Sequence, residues 1–156
     1  MSPTDIAALL AEARARAQAF IDQGKDVPPT LFARMRNGKD SFVLAPVDLA
    51  NVAHKNRLTA AHRALARLHG HTGLMCTAWT LDRRPGERVP DSIADHPSRG
   101  EAVLIVMLYA NMHSDIYRGQ IDRAKRTITW PDKPMNELCD RMEGRFIPDP
   151  NATRPQ

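Results

Sequence analysis

Glu101–Met112, EAVLIVMLYANM, is the most continuously apolar stretch of the chain. Both alternate sets of its side chains are apolar, and a strand of that kind belongs where both faces of a sheet are covered. It reads as the central strand, with Tyr109 and Asn111 as the members that reach a rim. It is reached through a long polar loop, so a rigid sheet displaying a surface element is the expected plan.

The flanking segments read as further strands. Thr72–Leu81 (TGLMCTAWTL) places Leu74, Cys76 and Ala78 on one face and Met75, Thr77, Trp79 and Leu81 on the other, both largely apolar, which puts it inside the sheet. Ser114–Arg123 alternates well enough for an edge-ward strand, with Gly119 as a bulge signal. Thr127–Trp130 is a last short strand stopped by Pro131. Nearer the N-terminus, Thr30–Arg36 alternates Leu31, Ala33 and Met35 against Phe32, Arg34 and Arg36. Asn37-Gly38 then signals a two-residue type I′ hairpin into Ser41–Ala45.

Two long helices are expected. The first starts at Ser2-Pro3-Thr4-Asp5, with Ser2 as N-cap, carries Ile6, Leu9, Leu10, Ala13, Ala17, Phe20 and Ile21 as its apolar stripe, and stops at Gly24. The second runs from a cap at Asp48 to His69, with Leu58, Ala61, Leu65 and Leu68 as its stripe and Gly70 as its stop. A short third helix is expected from Pro134 to about Met142, followed by a frayed tail over 148–156. The expectation is therefore an α+β fold: a single domain over 1–147, with a mostly antiparallel sheet of about five to six strands and helices packed on one face.

At 156 residues, the chain is long enough to bury roughly 68 to 70% of its unfolded surface. The formal net charge of +4 is unevenly placed. Residues 1–78 hold ten Lys and Arg against six Asp and Glu, and residues 79–156 hold twelve of each. Arg outnumbers Lys by 17 to 5, which suits bidentate pairing with carboxylates or phosphates. On the second helix the basic residues do not line up as a groove-reading face. Lys55 and Arg57 fall on opposite flanks, while Arg63 and Arg67 point away from the core. The two cysteines, Cys76 and Cys139, lie far apart and read as free thiols in a reducing compartment. With neither a secretion signal nor an apolar run of membrane-spanning length, a cytoplasmic location is expected.

Motifs that carry chemistry are few. His69-Gly70-His71 followed by Asp82 has the H-x-H-x10-D ligand spacing of the JAMM zinc hydrolases, but Trp79 stands where that family has Ser, and the intervening segment reads as a strand. His62 and His69 share one flank of their helix and suit boundary packing, or a shared ligand or proton. There is no G-x-S-x-G, Walker A or G-x-G-x-x-G pattern. No catalytic residue, metal or cofactor is expected, which leaves a metal-dependent hydrolase as the weakest of three readings.

The Asp82–Gly100 loop, DRRPGERVPDSIADHPSRG, holds three prolines and two glycines without periodicity, and a loop of that length in a compact domain is a recognition element or a disordered one. Its Arg83, Arg84, Arg88, His96 and Arg99, supported by Arg34 and Arg36 at a sheet edge, are the expected binding residues. Asp91 and Asp95 pairing with these arginines to order the loop is the structural alternative. Exposed aromatics, which single-strand binding favours, are not interleaved here.

From Pro28 onward the order of landmarks resembles an uncharacterised group of small bacterial and phage-associated proteins. The carrying residues are Pro28-Pro29-Thr30-Leu31-Phe32, Ala78-Trp79, and His96-Pro97-Ser98-Arg99 followed directly by the apolar strand. That group has an acid before the Ala-Trp pair where this chain has Thr77. The resemblance implies a phage- or mobile-element-associated accessory protein and no activity. The leading expectation is thus a non-catalytic protein that binds a macromolecular partner, another protein foremost. Nucleic-acid binding through the arginine-rich first half is the alternative.

Overall fold

The computed structural model describes residues 2–81 and 96–135, with the backbone of Met142–Glu143. The element order is α1 (Pro3–Asp22), β1 (Thr30–Arg34), β2 (Asp40–Leu44), α2 (Val52–His69), β3 (His71–Thr80), β4 (Gly100–Tyr109), β5 (Ser114–Asp122), β6 (Thr127–Thr129) and β7 (Met142–Glu143). Six strands lie in the order β2-β1-β3-β4-β5-β6. All neighbours are antiparallel, and β7 pairs with the part of β3 that β1 does not reach. The fold is α+β, an antiparallel sheet with helices packed against it. Among the described residues no helix is long and apolar enough to cross a membrane.

β4 is the middle of this arrangement, and Ala102 to Leu108 are all 4% exposed or less. Its odd-numbered residues Val103, Ile105 and Met107 join Phe32, Met75, Tyr117 and Ile121 beneath α1, which contributes Leu9, Leu10, Ala13, Ala17 and Ile21. Its even-numbered Leu104 and Val106 join Leu74, Cys76, Ala78 and Ile116 beneath Leu58 of α2. The two helices therefore cover opposite faces, in place of the single covered face expected. A strand apolar on both sides requires cover on both.

Local chemistry explains the boundaries. Ser2 and Asp5 form a reciprocal capping box at the start of α1, as the first residues suggested. For α2 the cap is Asn51, whose Oδ1 accepts the His54 N–H, and not Asp48. Asp48 instead accepts the Ala50 N–H in the preceding turn. Gly70 ends α2 at φ +83°. The buried residues of α2 are Leu58, Thr59, His62 and Ala66, and Leu68, expected in the stripe, is 66% exposed.

The β1–β2 hairpin forms as expected, with a different turn. Met35 N–H donates to Lys39 O at 2.8 Å and Gly38 N–H to Met35 O at 2.9 Å, which encloses a three-residue loop. Gly38 alone of the loop has positive φ, the pattern of a type I turn closed by a left-handed residue rather than a type I′ turn. The β4–β5 turn repeats this geometry: Tyr109 N–H to His113 O at 3.0 Å and Met112 N–H to Tyr109 O at 2.8 Å. Met112, at φ 66°, stands where the other turn has glycine. In both turns an Asn side chain accepts the N–H two residues on, Asn37 from Lys39 and Asn111 from His113.

Two glycines are sites of close packing. Gly73 pairs with Phe32 across β3 and β1, and a Cβ there would sit inside the Phe32 ring. Gly119 pairs in register with Val103 and makes no bulge. A Cβ on Gly119 would lie 2.6 Å from Ile128 and 2.8 Å from Trp130. The expected helix from Pro134 is contradicted at both described ends, since Met135 bridges to Ile116 and Met142 pairs with Thr80. The rest of that segment and the 148–156 tail lie outside the described residues.

Candidate functional site

The expected binding residues fall at two ends of the sheet. Arg34 ends β1, and its N–H donates at 3.0 Å to Nε2 of His71, the first residue of β3. Arg99 adjoins Gly100, which pairs with Thr80 at the other end of β3. Ten strand residues span about 30 Å, so Arg34 and Arg36 do not form one surface with His96 and Arg99. Arg83, Arg84 and Arg88 lie outside the described residues.

Each described member has a definite local role. Arg34 holds Asp40 at 2.8 Å and Asp5 at 3.0 Å, tying β1 to β2 and to the start of α1. His96 is half-buried and its Nδ1 accepts the Ser98 N–H at 3.0 Å. The Arg99 guanidinium lies 4.5 Å from the centre of the Trp79 ring, a cation–π contact at the β3 end. Thr77, where the resembling group has an acid, uses its hydroxyl to accept the Val27 N–H at 2.7 Å.

The histidines are held by the fold. His71 is buried, and its Nε2 accepts the Arg34 N–H. Burial lowers its pKa. His62 is 1% exposed, with Nε2 at 2.8 Å from the Thr72 carbonyl and Nδ1 without a partner among the described residues. Burial pushes its pKa down too, and the proximity of Arg63 adds to this against the opposing hydrogen bond to Thr72. A His69–His71 ligand pair is poorly served by this arrangement, and Asp82 lies outside the described residues. Among the described residues no group of three or more His, Cys, Asp or Glu is placed to hold a metal. Burial raises the Cys76 thiol well above its ordinary value, which disfavours the thiolate a nucleophile needs.

What the structure does bring together is the C-terminal end of α2 and the β1–β2 turn. Met35, Arg36 and Asn37 of the turn line a groove of about 470 Å³ with Leu68 and His69 of α2. α2 carries Lys55, Arg57, Arg63 and Arg67 and no acidic residue, so this one helix accounts for the whole formal charge of +4. Among the described residues none of the four makes an ion pair. Arg63, Arg67 and Arg57 fall within an arc of about 120° on the side away from the sheet. Val52, 71% exposed, and Leu68 flank that arc.

Sequence reasoning noticed these arginines but missed their isolation from acids and the exposure of Leu68. The signal was an 18-residue helix containing no Asp or Glu. No protein-family model, curated protein or solved structure matches the chain.

Proposed function

We propose that the protein is a non-catalytic accessory module, cytoplasmic in location, that binds an acidic surface of another protein through the outer face of α2 and the adjoining groove. The observation that carries this is the confinement of the chain's entire charge excess to one helix, α2, flanked by exposed Val52 and Leu68. Arginines beside exposed apolar side chains are the composition of protein-binding surfaces, where arginine is enriched and apolar anchors supply affinity. Arg36, at the groove rim and without an ion pair among the described residues, extends the same field.

The test is affinity capture from the native host with nuclease present. Wild-type protein is expected to retain a partner that Arg57→Glu/Arg63→Glu loses at least ten-fold, with its circular dichroism unchanged. If that variant keeps the partner while deletion of Arg84 to Ser98 abolishes capture, the contact belongs to the loop and the α2 reading fails.

Nucleic acid is the second reading, favoured by the same acid-free helix. Three phosphates neutralised by Arg57, Arg63 and Arg67 give a log K against log salt slope of about −2.7 on duplex DNA. A slope of that size, abolished by Arg57→Glu/Arg63→Glu, establishes this reading. Absence of binding between low and moderate salt eliminates it.

A further inference from the structure

β2 is an edge strand, and its hydrogen-bond phase determines what it offers. Met35 N–H donates to Lys39 O and Ala45 N–H to Pro29 O. In an antiparallel ladder alternate residues turn their backbone groups inward, so Ser41 and Val43 face β1. The N–H and C=O groups of Asp40, Phe42 and Leu44 therefore point to the open edge. The devices that usually blunt an edge are few within these five residues: there is no proline or bulge, and Asp40, the only charged side chain, is neutralised by Arg34. Val43 is 58% and Leu44 61% exposed.

We propose that β2 pairs antiparallel with β2 of a second copy, across a two-fold axis at Phe42. The register is self-complementary. Phe42 meets Phe42 of the other copy, and Asp40 and Leu44 exchange places, so all outward groups pair in about six intermolecular hydrogen bonds. On one face Phe42, stacked on Phe32 with centroids 5.1 Å apart and covered by the Arg16 guanidinium 4.0 Å from its ring centre, lies beside its equivalent. On the other face Val43 lies opposite Ser41 and diagonal to its own counterpart. The charges fit the same operator: exposed Lys39 precedes the strand, exposed Asp48 follows it, and the two-fold brings each toward the other. A shifted or parallel register loses this match. One short strand edge is a small contact, and the dimer is accordingly weak and concentration-dependent.

Sedimentation velocity on the full chain between about 5 and 500 µM tests this. A monomer–dimer transition is expected, and a monomer throughout overturns the proposal. Leu44→Pro removes an N–H that faces the open edge, leaving the β1 ladder intact. It is expected to stay monomeric with wild-type circular dichroism, and a dimer that persists in it refutes the β2 interface. Should Leu44→Pro unfold, Lys39→Gln and Asp48→Asn decide instead, because the asparagine amide oxygen retains the acceptor that holds the Ala50 N–H. Each is expected to raise the dimer Kd about three-fold, and their combination no further. Unchanged constants or simple additivity overturn the proposal. Partner capture by the α2 face is measured separately and neither supports nor sinks it.

Discussion

Gly73→Ala is the sharpest test of how the sheet is packed. Gly73 lies in β3 beneath the ring of Phe32, which is 1% exposed and stacked on Phe42. The ring is held from both sides and has little room to withdraw. In a typical strand, alanine gains roughly 0.5–1 kcal/mol over glycine from backbone entropy alone. Here the added methyl occupies the space of the ring, an overpacking that costs about 3 kcal/mol or somewhat more. The net expectation is a loss of about 2 kcal/mol, a fall in Tm of about 4–8 °C for a chain of this length. Phe32→Leu alone is expected to cost about 1–2 kcal/mol through the void it leaves. In the double variant the methyl has space and part of the void is filled, so the combined loss falls short of the sum by about 1–2 kcal/mol. Urea unfolding of the four proteins measures this coupling. A stabilised Gly73→Ala, or a double variant additive within about 0.4 kcal/mol, would show that the ring does not lie over Gly73.

Two further outcomes follow from the turns and the buried histidines. Met112→Gly relieves a left-handed backbone that costs a side-chain-bearing residue about 1–2 kcal/mol, less the entropy glycine adds to the unfolded chain, so it is expected to stabilise by about 0.5 kcal/mol. Met112→Ala keeps the strain and is the control, and equal effects of the two would refute the turn assignment. Burial lowers the pKa of His62 and His71 below the ordinary 6.5, so below that pH the unfolded chain binds more protons than the folded one. Their contribution is complete above 6.5 and is lost as pH falls through the lowered folded values. Unfolding free energies at about pH 7.5 and pH 5 are expected to differ less in His62→Gln than in wild type; an identical difference would mean that His62 does not titrate in this window.

The strands were largely legible because their signal is local. Alternation marked β1 and β3, and the unbroken run of β4 marked the centre. That same run carried the information that both faces are covered, which conflicts with helices on one face; the side-chain periodicity of β4 outweighs the inference from hairpin connectivity. The Asn37-Gly38 turn was visible through its glycine, while its twin at Asn111-Met112 was not, since methionine gives no sign of a left-handed backbone. Leu68 was misassigned because an apolar residue at helical spacing looks buried until the tilt of α2 over the sheet is known. The two described ends of the C-terminal segment differ from the helical expectation because Met135 and Met142 satisfy helical spacing as well as isolated strand contacts, and only pairing with β5 and β3 separates the two. The candidate site was least legible. Charge counts place the excess in the first half, but only the fold shows which of those cations are consumed internally, as Arg34 is, and which are left on one surface.

That division bears on why α2 is built as it is. α1 buries five apolar residues, and its Arg16 is paired with Glu12, so its surface chemistry supports its own stability. α2 does the reverse. Arg63 and Arg67 stand at i and i+4, a like-charge spacing that destabilises a helix by about 0.2–0.5 kcal/mol, and a single Glu at position 63 converts it into a favourable pair. Leu68 is left in solvent, although its neighbours Leu65 and Ala66 turn toward the sheet. Only at Arg67, near the negative end of the helix dipole, does charge assist the helix. A surface that forgoes available stabilisation along one arc, while the remainder of the chain balances its charges, is what the proposed docking role requires. The Arg57→Glu/Arg63→Glu protein is therefore expected to be at least as stable as wild type while losing its partner, and that combination separates a binding face from a structural one.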